Sequence, residues 1–254
     1  MADPILVEAR DRVRIIQMDR PEKKNALTGA MYSAMTEALR RADSDSTVRV
    51  VLITGTGTCF TAGNDLADFA AAKPGQPAPA IHYLEALGAV TKPVVAAVNG
   101  VAIGIGTTML LHCDLVYAAA GARFQLPFVN LGLCPEAASS LILPERMGHA
   151  RAAELLFFGE PFGVERAYDI GLINEVFEDV DLLPSALGRA QKLAEKPPQA
   201  LRTTKRLLKA AGSDAIKLAM ARETEQFAAL LQAGEAKEAM AAFLERRKPD
   251  FSAF

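Results

Sequence analysis

Three short runs of the chain are apolar at almost every position, and they constrain its fold more than any other feature. They are Val48–Thr54, Pro93–Val98 and Cys113–Ala119. Runs of this kind, in contrast to alternating apolar and polar residues, are typical of strands that are covered on both faces. Together with the helical segments between them, they predict an α/β fold.

The segments around these strands extend the same pattern. Ile5–Ala9 and Val13–Met18 are separated by a charged turn and predict a hairpin. Thr28–Asp43 has the apolar spacing of a helix, with Thr28 as its cap, and Leu172–Phe177 predicts a later strand. From about residue 182 onward the periodicity is helical throughout, in four segments: Leu182–Glu195, Ala200–Ala211, Asp214–Gln232 and Glu235–Arg246.

Charge and cysteine content narrow the setting in which the chain works. With 28 basic and 30 acidic side chains, the net charge is -2, which does not favour binding to nucleic acid or to an anionic membrane. Three cysteines are too few, and odd in number, for a disulfide scaffold, so we expect a reducing compartment. The charged first residues do not resemble an export signal, and no apolar stretch reaches membrane-spanning length. We therefore expect a cytoplasmic protein without membrane contacts.

The motifs of several enzyme classes do not occur in the sequence. It has neither a GxxxxGK[ST] phosphate loop nor a GxSxG nucleophile turn. Its histidines (His82, His112 and His149) lack the spacing of metal ligands, so no metal site is expected. Each histidine is expected to be a surface or packed residue. Because histidine, the usual general base, is then not available, carboxylates become the main candidates for proton transfer.

Two glycine-containing segments follow predicted strands and predict a binding site. Phe60–Phe69 comes after Val48–Thr54, and Asn99–Thr108 comes after Pro93–Val98, with a helix that begins at about Ile105. Such turns present backbone N–H groups, and a helix start adds the positive end of its dipole. Two N–H groups of this kind can stabilise the enolate that forms when a thioester loses a proton from carbon 2.

A carboxylate in a third segment, Phe124–Ser140, is the candidate base. Glu136 lies among apolar residues. Apolar surroundings raise the pKa of a carboxylate, which suits proton transfer near neutrality. The residues alone leave a second interpretation open, because Glu136 follows Pro135 and fits an acidic residue in the first turn of a helix.

These segments, with others along the chain, resemble the crotonase (enoyl-CoA hydratase/isomerase) superfamily from about Ile5 to Lys248. The resemblance implies a spiral of repeated strand–strand–helix (ββα) units, with C-terminal helices that mediate trimer formation. It also implies a core of residues 1–195 that holds an acyl-CoA site, and a helical region of residues 196–254 that completes it. The matching motifs are RPEKKNAL (Arg20–Leu27), AGNDL (Ala62–Leu66), PVVAAVNGVAIGIG (Pro93–Gly106), CDLVYA (Cys113–Ala118), the FQLPF to PE region and FLERRKPDF (Phe243–Phe251).

The resemblance also implies roles for individual residues. The backbone N–H groups of Asn64 and Ile105 would form an oxyanion hole. No metal or redox cofactor would take part, since CoA belongs to the substrate. A homotrimer or a dimer of trimers is implied, in which a neighbouring subunit completes the nucleotide site with Lys248 and Phe251. The other implied substrate contacts are Lys24, Ala26, Ala62, Gly63, Asp65, Leu66 and Phe128.

Two departures from the hydratase pattern favour an isomerase. Hydratases of this superfamily use two glutamates to activate water, and this chain has Thr108 and Phe128 at those positions. Its motifs are more similar to those of isomerases that convert 3-enoyl-CoA to 2-enoyl-CoA, whose single catalytic glutamate corresponds to Glu136. One carboxylate can remove a proton from carbon 2 and return it to carbon 4 if it reaches both carbons.

Three other functions stay open on the sequence alone. The first is an enoyl-CoA hydratase in which Glu136 recruits water, and the second is a catalytically silent acyl-CoA-binding protein. The third is RNA binding through a basic helical stripe, for which a solvated helix face is the expected role. The stripe consists of Arg202, Lys205, Arg206 and Lys209. The proline-rich segment Ala71–Ala80 is expected to form a surface loop, with a lid as the alternative.

Overall fold

Two sheets organise the computed structural model, which describes residues 4–65, 67–68 and 79–254. The strands are β1 (Ile5–Arg10), β2 (Val13–Met18), β3 (Val50–Gly55), β4 (Cys59–Thr61), β5 (Val94–Val98), β6 (Val101–Ile103), β7 (Leu115–Ala119), β8 (Arg123–Gln125), β9 (Phe162–Gly163) and β10 (Glu175–Phe177). One sheet has the order β1-β2-β3-β5-β7-β10, and the other has the order β4-β6-β8-β9. The larger sheet is parallel except for the predicted β1–β2 hairpin, which is antiparallel.

The three apolar runs lie side by side in the larger sheet, as β3, β5 and β7. Every residue of β3 and β5 is buried, which confirms that these strands are covered on both faces. A helix, α7 (Leu182–Ala194), covers one face by packing its Leu182, Ala186, Ala190 and Ala194 against core residues of the strands. Small alanines at helical spacing let the helix axis approach the sheet closely, so the predicted strand and helix patterns meet in one core.

The chain repeats a strand–strand–helix unit, as the superfamily resemblance predicted. In the pairs β3–β4, β5–β6 and β7–β8, the first strand joins the larger sheet and the second joins the smaller one. The smaller sheet was not predicted as strands. Each of its members has only two or three residues, too few for an alternating pattern to be recognised.

The first helix and the four C-terminal helices agree closely with the predicted periodicity. Thr28 caps the first helix by accepting a hydrogen bond from the N–H of Met31 (3.3 Å), and the four C-terminal helices all form within two residues of their predicted starts. Beside α7, the helices are α1 (Gly29–Ser44), α2 (Pro79–Ala89), α3 (Ile105–Thr108), α4 (Ser139–Met147), α5 (His149–Phe158), α6 (Val164–Asp169), α8 (Pro198–Ala210), α9 (Ser213–Leu231) and α10 (Gly234–Glu245).

The chain divides into two compact units. The first comprises the residues up to Phe124 together with Phe162–Ala211, and it contains both sheets, α1 to α3 and α6 to α8. The second comprises Gln125–Pro161 and Gly212–Phe254, with α4, α5, α9 and α10. The predicted division into residues 1–195 and 196–254 stays a prediction.

The basic stripe of α8 is only partly solvated, which corrects the expectation of an exposed face. Lys205 is 8% exposed, and its Nζ lies 2.7 Å from the carboxylate of Asp114 and donates to the carbonyl of Lys92. Lys209 donates to the carbonyl of His112. Burial lowers the pKa of Lys205, with Asp114 acting in the opposite direction. The expectation fails because helical spacing alone does not reveal a partly buried carboxylate just before a distant strand, β7.

The described residues were compared with the requirements of a membrane-spanning helix and of a metal site. Within residues 4–65, 67–68 and 79–254, no helix combines the length and apolar character needed to cross a membrane. The same residues contain no cluster of three or more His, Cys, Asp or Glu side chains that could hold a metal ion.

Stability is expected to depend strongly on the buried strand β3. Leu52 has no exposed surface, whereas Leu6 on the edge strand β1 is 40% exposed. Because deleting a buried leucine side chain leaves a cavity, Leu52→Ala should lower the free energy of unfolding by about 2–5 kcal/mol. The control Leu6→Ala should lower it by less than about 1 kcal/mol. Chemical denaturation of both variants measures the difference, and equal losses would contradict the central position of β3.

Candidate functional site

The segment Lys24–Asn25–Ala26 is held in a tight conformation by a buried amide. Lys24 and Asn25 both have left-handed backbone angles (φ 51° and 54°), and Asn25 is completely buried. The Asn25 side chain accepts a hydrogen bond from the N–H of Arg20 and donates to the carbonyls of Thr56 (3.0 Å) and Cys59 (2.7 Å). Asparagine adopts left-handed angles more readily than most residues, so this position favours it.

The next segment, Ala62 to Asp65, pairs with this one through backbone hydrogen bonds. Ala62 donates to the carbonyl of Lys24, Leu27 donates to that of Gly63, and Asp65 donates to that of Leu27, all at 2.8–2.9 Å. Leu27 and Asn64 form the resulting parallel bridge. This bridge uses the carbonyl of Gly63 and the N–H of Asp65, so it does not consume the N–H of Asn64.

The second predicted N–H group belongs to Ile105, at the start of α3. Gly104 precedes this short helix with φ 56°, and its carbonyl accepts from Thr107 and Thr108 (both 2.9 Å). Ile105 is the first residue of the helix, and the N–H group at that position has no hydrogen-bond acceptor within the helix. The turn therefore does not occupy this donor.

Close backbone packing joins the turn at Asn64 to the turn at Ile105. The two turns extend β4 and β6, which are parallel neighbours in the smaller sheet. At Gly63 (φ 88°), an added Cβ would lie 2.8 Å from the carbonyl oxygen of Ile103. At Gly106, an added Cβ would lie 2.6 Å from a side-chain carbon of Thr61. Glycine is therefore required at both places for the predicted donors to lie on neighbouring turns.

Sequence reasoning missed a tyrosine that holds the side chain of Asn64. The hydroxyl of Tyr32, on α1, donates to Oδ1 of Asn64 at 2.5 Å. Tyr32 is 3% exposed, and its ring contacts that of Tyr83 with centroids 5.8 Å apart. Tyr32 lies at a buried helical position, where an apolar side chain serves as well, so the sequence carries no signal of this contact.

Asp65, a predicted substrate contact, uses its carboxylate within the protein. Nη1 of Arg20 lies 2.7 Å from this carboxylate and also donates to the carbonyl of Ala26. The hydrogen bond from Arg20 is the main cause that lowers the pKa of Asp65 below its usual value of 3.8. Through one side chain, Arg20 thus links the segment Lys24–Asn25–Ala26 to the turn at Asn64.

Glu136 lies in the second unit, in a segment with an unusual backbone. It is partly buried, and the two residues that follow, Ala137 and Ala138, both have left-handed angles (φ 60° and 56°). The carbonyl of Glu136 accepts from the N–H (3.0 Å) and the hydroxyl (2.5 Å) of Ser139. Two consecutive non-glycine residues in this conformation are rare and costly, and such strain is concentrated at functional sites.

The structure places Glu136 before α4, which begins at Ser139. Glu136 is therefore not an acidic residue of the first helical turn, and that alternative interpretation is wrong. The backbone reverses at Ala137 and Ala138 before the helix begins, and this turn could not be recognised from the residues themselves.

The remaining predicted positions divide between the two units. Thr108 is buried in α3, and Phe128 is buried in the second unit. Lys248 and Phe251 lie in the segment that follows α10. Glu238, on α10, binds this segment: its two carboxylate oxygens accept from Arg247, and it also accepts from the N–H of Asp250. Arg247 is the main cause that lowers the pKa of Glu238 to about 2. Leu66 and most of Ala71–Ala80 lie outside the described residues.

Comparison with known families decides the relationship that the motifs suggested. The family model for enoyl-CoA hydratase/isomerase matches residues 8–253 of this chain. The chain belongs to the enoyl-CoA hydratase/isomerase family. The crotonase fold is supported by the crystal structure of an enoyl-CoA hydratase/isomerase from Pseudoalteromonas atlantica T6c. That structure matches with a TM-score of 0.93 and 42% identity, covering 98% of this chain and 100% of the other.

Relatives within the enoyl-CoA hydratase/isomerase family carry names of both activities. The chain is 34% identical over 251 residues to 2,3-dehydroadipyl-CoA hydratase of Escherichia coli (strain K12), covering 97% of this chain and 98% of that protein. It is 38% identical over 212 residues to enoyl-CoA delta isomerase 2 of Rattus norvegicus, covering 81% of this chain and 54% of that protein. Identity at this level does not choose between water addition and a double-bond shift, so the choice depends on individual residues.

The close approach at Gly63 provides a test of the paired turns. Gly63→Ala should destabilise the protein by more than the roughly 1–2 kcal/mol that left-handed backbone costs an alanine, because its Cβ also meets the Ile103 carbonyl. Gly171→Ala is the matched control, since Gly171 also has positive φ (71°) but has no atom within 4 Å of an added Cβ. Unfolding free energies from chemical denaturation give the comparison. Equal destabilisation by the two substitutions would contradict the packing of the turns.

The ion pair of Asp65 with Arg20 predicts an acid-dependent contribution to stability. Because the pKa of Asp65 is lowered in the folded state, its pairing stabilises the protein above the usual aspartate pKa of 3.8 and is lost as the pH falls through the lower folded value. Asp65→Asn should therefore be less stable than wild type near pH 6, and the difference should shrink below about pH 4. Denaturation midpoints at a series of pH values measure it. A difference that stays constant with pH would contradict the assignment.

Proposed function

We propose that the chain is an enoyl-CoA isomerase that moves a double bond from position 3 to position 2 of an acyl-CoA. The observation that carries the proposal is that only one of the three catalytic positions of the superfamily holds an acidic residue in this chain. Glu136 is present, whereas Thr108 and Phe128 occupy the positions where hydratases of the superfamily carry glutamates. Neither a threonine nor a phenylalanine can activate water by accepting its proton near neutral pH.

The proposed mechanism uses one carboxylate and two backbone donors. Glu136 removes a proton from carbon 2 of the 3-enoyl-CoA, and the resulting negative charge moves onto the thioester oxygen. The N–H groups of Asn64 and Ile105 stabilise this enolate, and the neighbouring position of their turns supports that role. Glu136 then returns the proton to carbon 4, which leaves the double bond between carbons 2 and 3.

The substrate contacts in this proposal follow the segments that the fold joins. Lys24, Ala26, Ala62, Gly63 and Asp65 all belong to the hydrogen-bonded pair of segments around the Leu27–Asn64 bridge. The carboxylate of Asp65 is engaged by Arg20 and its N–H by the carbonyl of Leu27, so a contact from Asp65 to CoA would use its backbone carbonyl. Predicted substrate contacts also include Leu66, Phe128, Lys248 and Phe251. The oligomeric state, a homotrimer or a dimer of trimers, and the cytoplasmic location also stay predictions.

The second candidate is an enoyl-CoA hydratase, and the name of the Escherichia coli relative is the observation that favours it. In this reading Glu136 alone would position the attacking water. An acyl-CoA-binding protein without activity is the third candidate, and the retained Glu136 argues against it.

Glu136→Gln separates these candidates. The amide keeps the size of the side chain but cannot accept a proton, so conversion of a 3-enoyl-CoA to the 2-enoyl-CoA should fall by about 10²–10⁴-fold. Wild type should add little or no water to a 2-enoyl-CoA. Both reactions are followed by absorbance and by product chromatography. Glu145→Gln, an exposed glutamate on α4, is the control and should keep full activity.

Each alternative outcome has a definite meaning. Hydration without isomerisation in wild type would contradict the isomerase and support the hydratase. Tight acyl-CoA binding with neither reaction would support the silent binding protein. Isomerisation that survives in Glu136→Gln would show that another group transfers the proton.

A further inference from the structure

A buried carboxylate in the second unit takes no part in the proposed chemistry. Glu223, in the middle of α9, is 7% exposed. Burying a carboxylate is costly unless hydrogen bonds or an opposite charge compensate for the lost water. The partners of Glu223 therefore indicate what this side chain stabilises.

All the described hydrogen bonds to the Glu223 carboxylate come from the residues that follow Glu136. One oxygen accepts from the N–H of Ala138 (2.6 Å), and the other accepts from the N–H (2.9 Å) and the hydroxyl (2.5 Å) of Ser140. A further contact joins the same two segments, because Sγ of Cys134 lies 3.8 Å from the backbone carbonyl of Glu223. Helix α9 thus holds the Glu136 segment on both sides.

Glu223 supplies a helix cap that the segment lacks. Helix α4 begins after Ala138, a residue whose side chain cannot accept a hydrogen bond, and the local chain provides no side-chain cap. The first N–H groups of a helix need acceptors, and a negative charge there interacts favourably with the helix dipole. Glu223 meets both needs from a helix 85 residues further along the chain.

The same bonds constrain the backbone between Glu136 and α4. Ala137 and Ala138 adopt left-handed angles, which are sterically unfavourable for alanine, so this turn needs support from its surroundings. Ser139 fixes the carbonyl of Glu136, and Glu223 fixes the N–H groups of Ala138 and Ser140. Without the hydrogen bonds to Glu223, the turn would relax. The side chain of Glu136 would then extend from the backbone in a different direction.

We propose that Glu223 is a positioning residue that holds the Ala137–Ala138 turn and thereby orients the carboxylate of Glu136 for proton transfer. This inference rests on the proposed function. Glu223 acts through Glu136, because its two oxygens are already occupied by three donors. Since proton transfer depends steeply on geometry, a misplaced Glu136 should lower the rate of the chemical step far more than the affinity for acyl-CoA.

Glu223→Gln tests the proposal with little change in shape. One carboxylate oxygen, which accepts hydrogen bonds, would be replaced by an amide NH₂ group, which donates them. Because the groups facing it are themselves donors, at least one of the three hydrogen bonds is lost. We expect kcat for isomerisation to fall about 10- to 100-fold, with KM changed by less than about twofold. Glu223→Asp keeps two acceptor oxygens on a shorter side chain and should restore part of kcat. Glu225→Gln, exposed on the same helix, is the control and should match wild type.

A second measurement reports on the turn without using activity. Amide hydrogen–deuterium exchange of a peptide covering residues 134–141 should be faster in Glu223→Gln and unchanged in Glu225→Gln. Faster exchange with unchanged kcat, or a KM that rises as much as kcat falls, would overturn the positioning role. If Glu223→Gln does not fold, Glu223→Asp and Ser140→Ala, which removes one of the three bonds, serve in the same comparison.

The two proposals fail in different ways. Wild type that does not isomerise 3-enoyl-CoA would overturn the proposed function, and amide exchange would then decide whether Glu223 holds the turn. Exchange that is equal in Glu223→Gln and wild type would overturn the inference even if Glu136 is confirmed as the base.

Discussion

The side-chain amide of Asn25 joins the segments on which the first unit's candidate site depends. It bonds to the backbone of Arg20, Thr56 and Cys59, and the backbone carbonyl of Asn25 accepts from the hydroxyl of Thr61. These contacts align the Lys24 segment with β4, and the Asn64 turn follows directly from β4. Because the amide is fully buried, each of its hydrogen bonds replaces one to water, and losing one leaves a polar group unpaired.

In each of the two units, candidate residues lie on backbone conformations that distant segments of the same unit stabilise. In the first unit, Gly63 brings one turn against Ile103, and Tyr32 holds the side chain of Asn64. In the second unit, Ala137 and Ala138 adopt left-handed angles after Glu136, and Glu223 accepts hydrogen bonds from the N–H groups of Ala138 and Ser140. The glycine avoids a steric cost, whereas the alanines bear one that surrounding hydrogen bonds offset.

Much of the fold could be predicted because its signals are local. The apolar runs of β3, β5 and β7 and the periodicity of the C-terminal helices each require only a window of about 10 residues. The smaller sheet could not be predicted, since three-residue strands such as β4 carry no recognisable pattern. Lys205 departs from its expected role for a related reason: its spacing on α8 resembles a solvated face, and only the fold shows that its side chain is buried beside Asp114.

The α/β class, the family and the candidate residues Glu136, Asn64 and Ile105 follow from the amino-acid sequence, because motif order and apolar periodicity are properties of the chain. How those residues are held depends on the folded structure. Tyr32 reaches Asn64 across 32 positions, and Glu223 reaches Ala138 across 85. Such contacts depend on where the topology brings each side chain, and neither an isolated tyrosine nor an isolated glutamate on a helix indicates its partner.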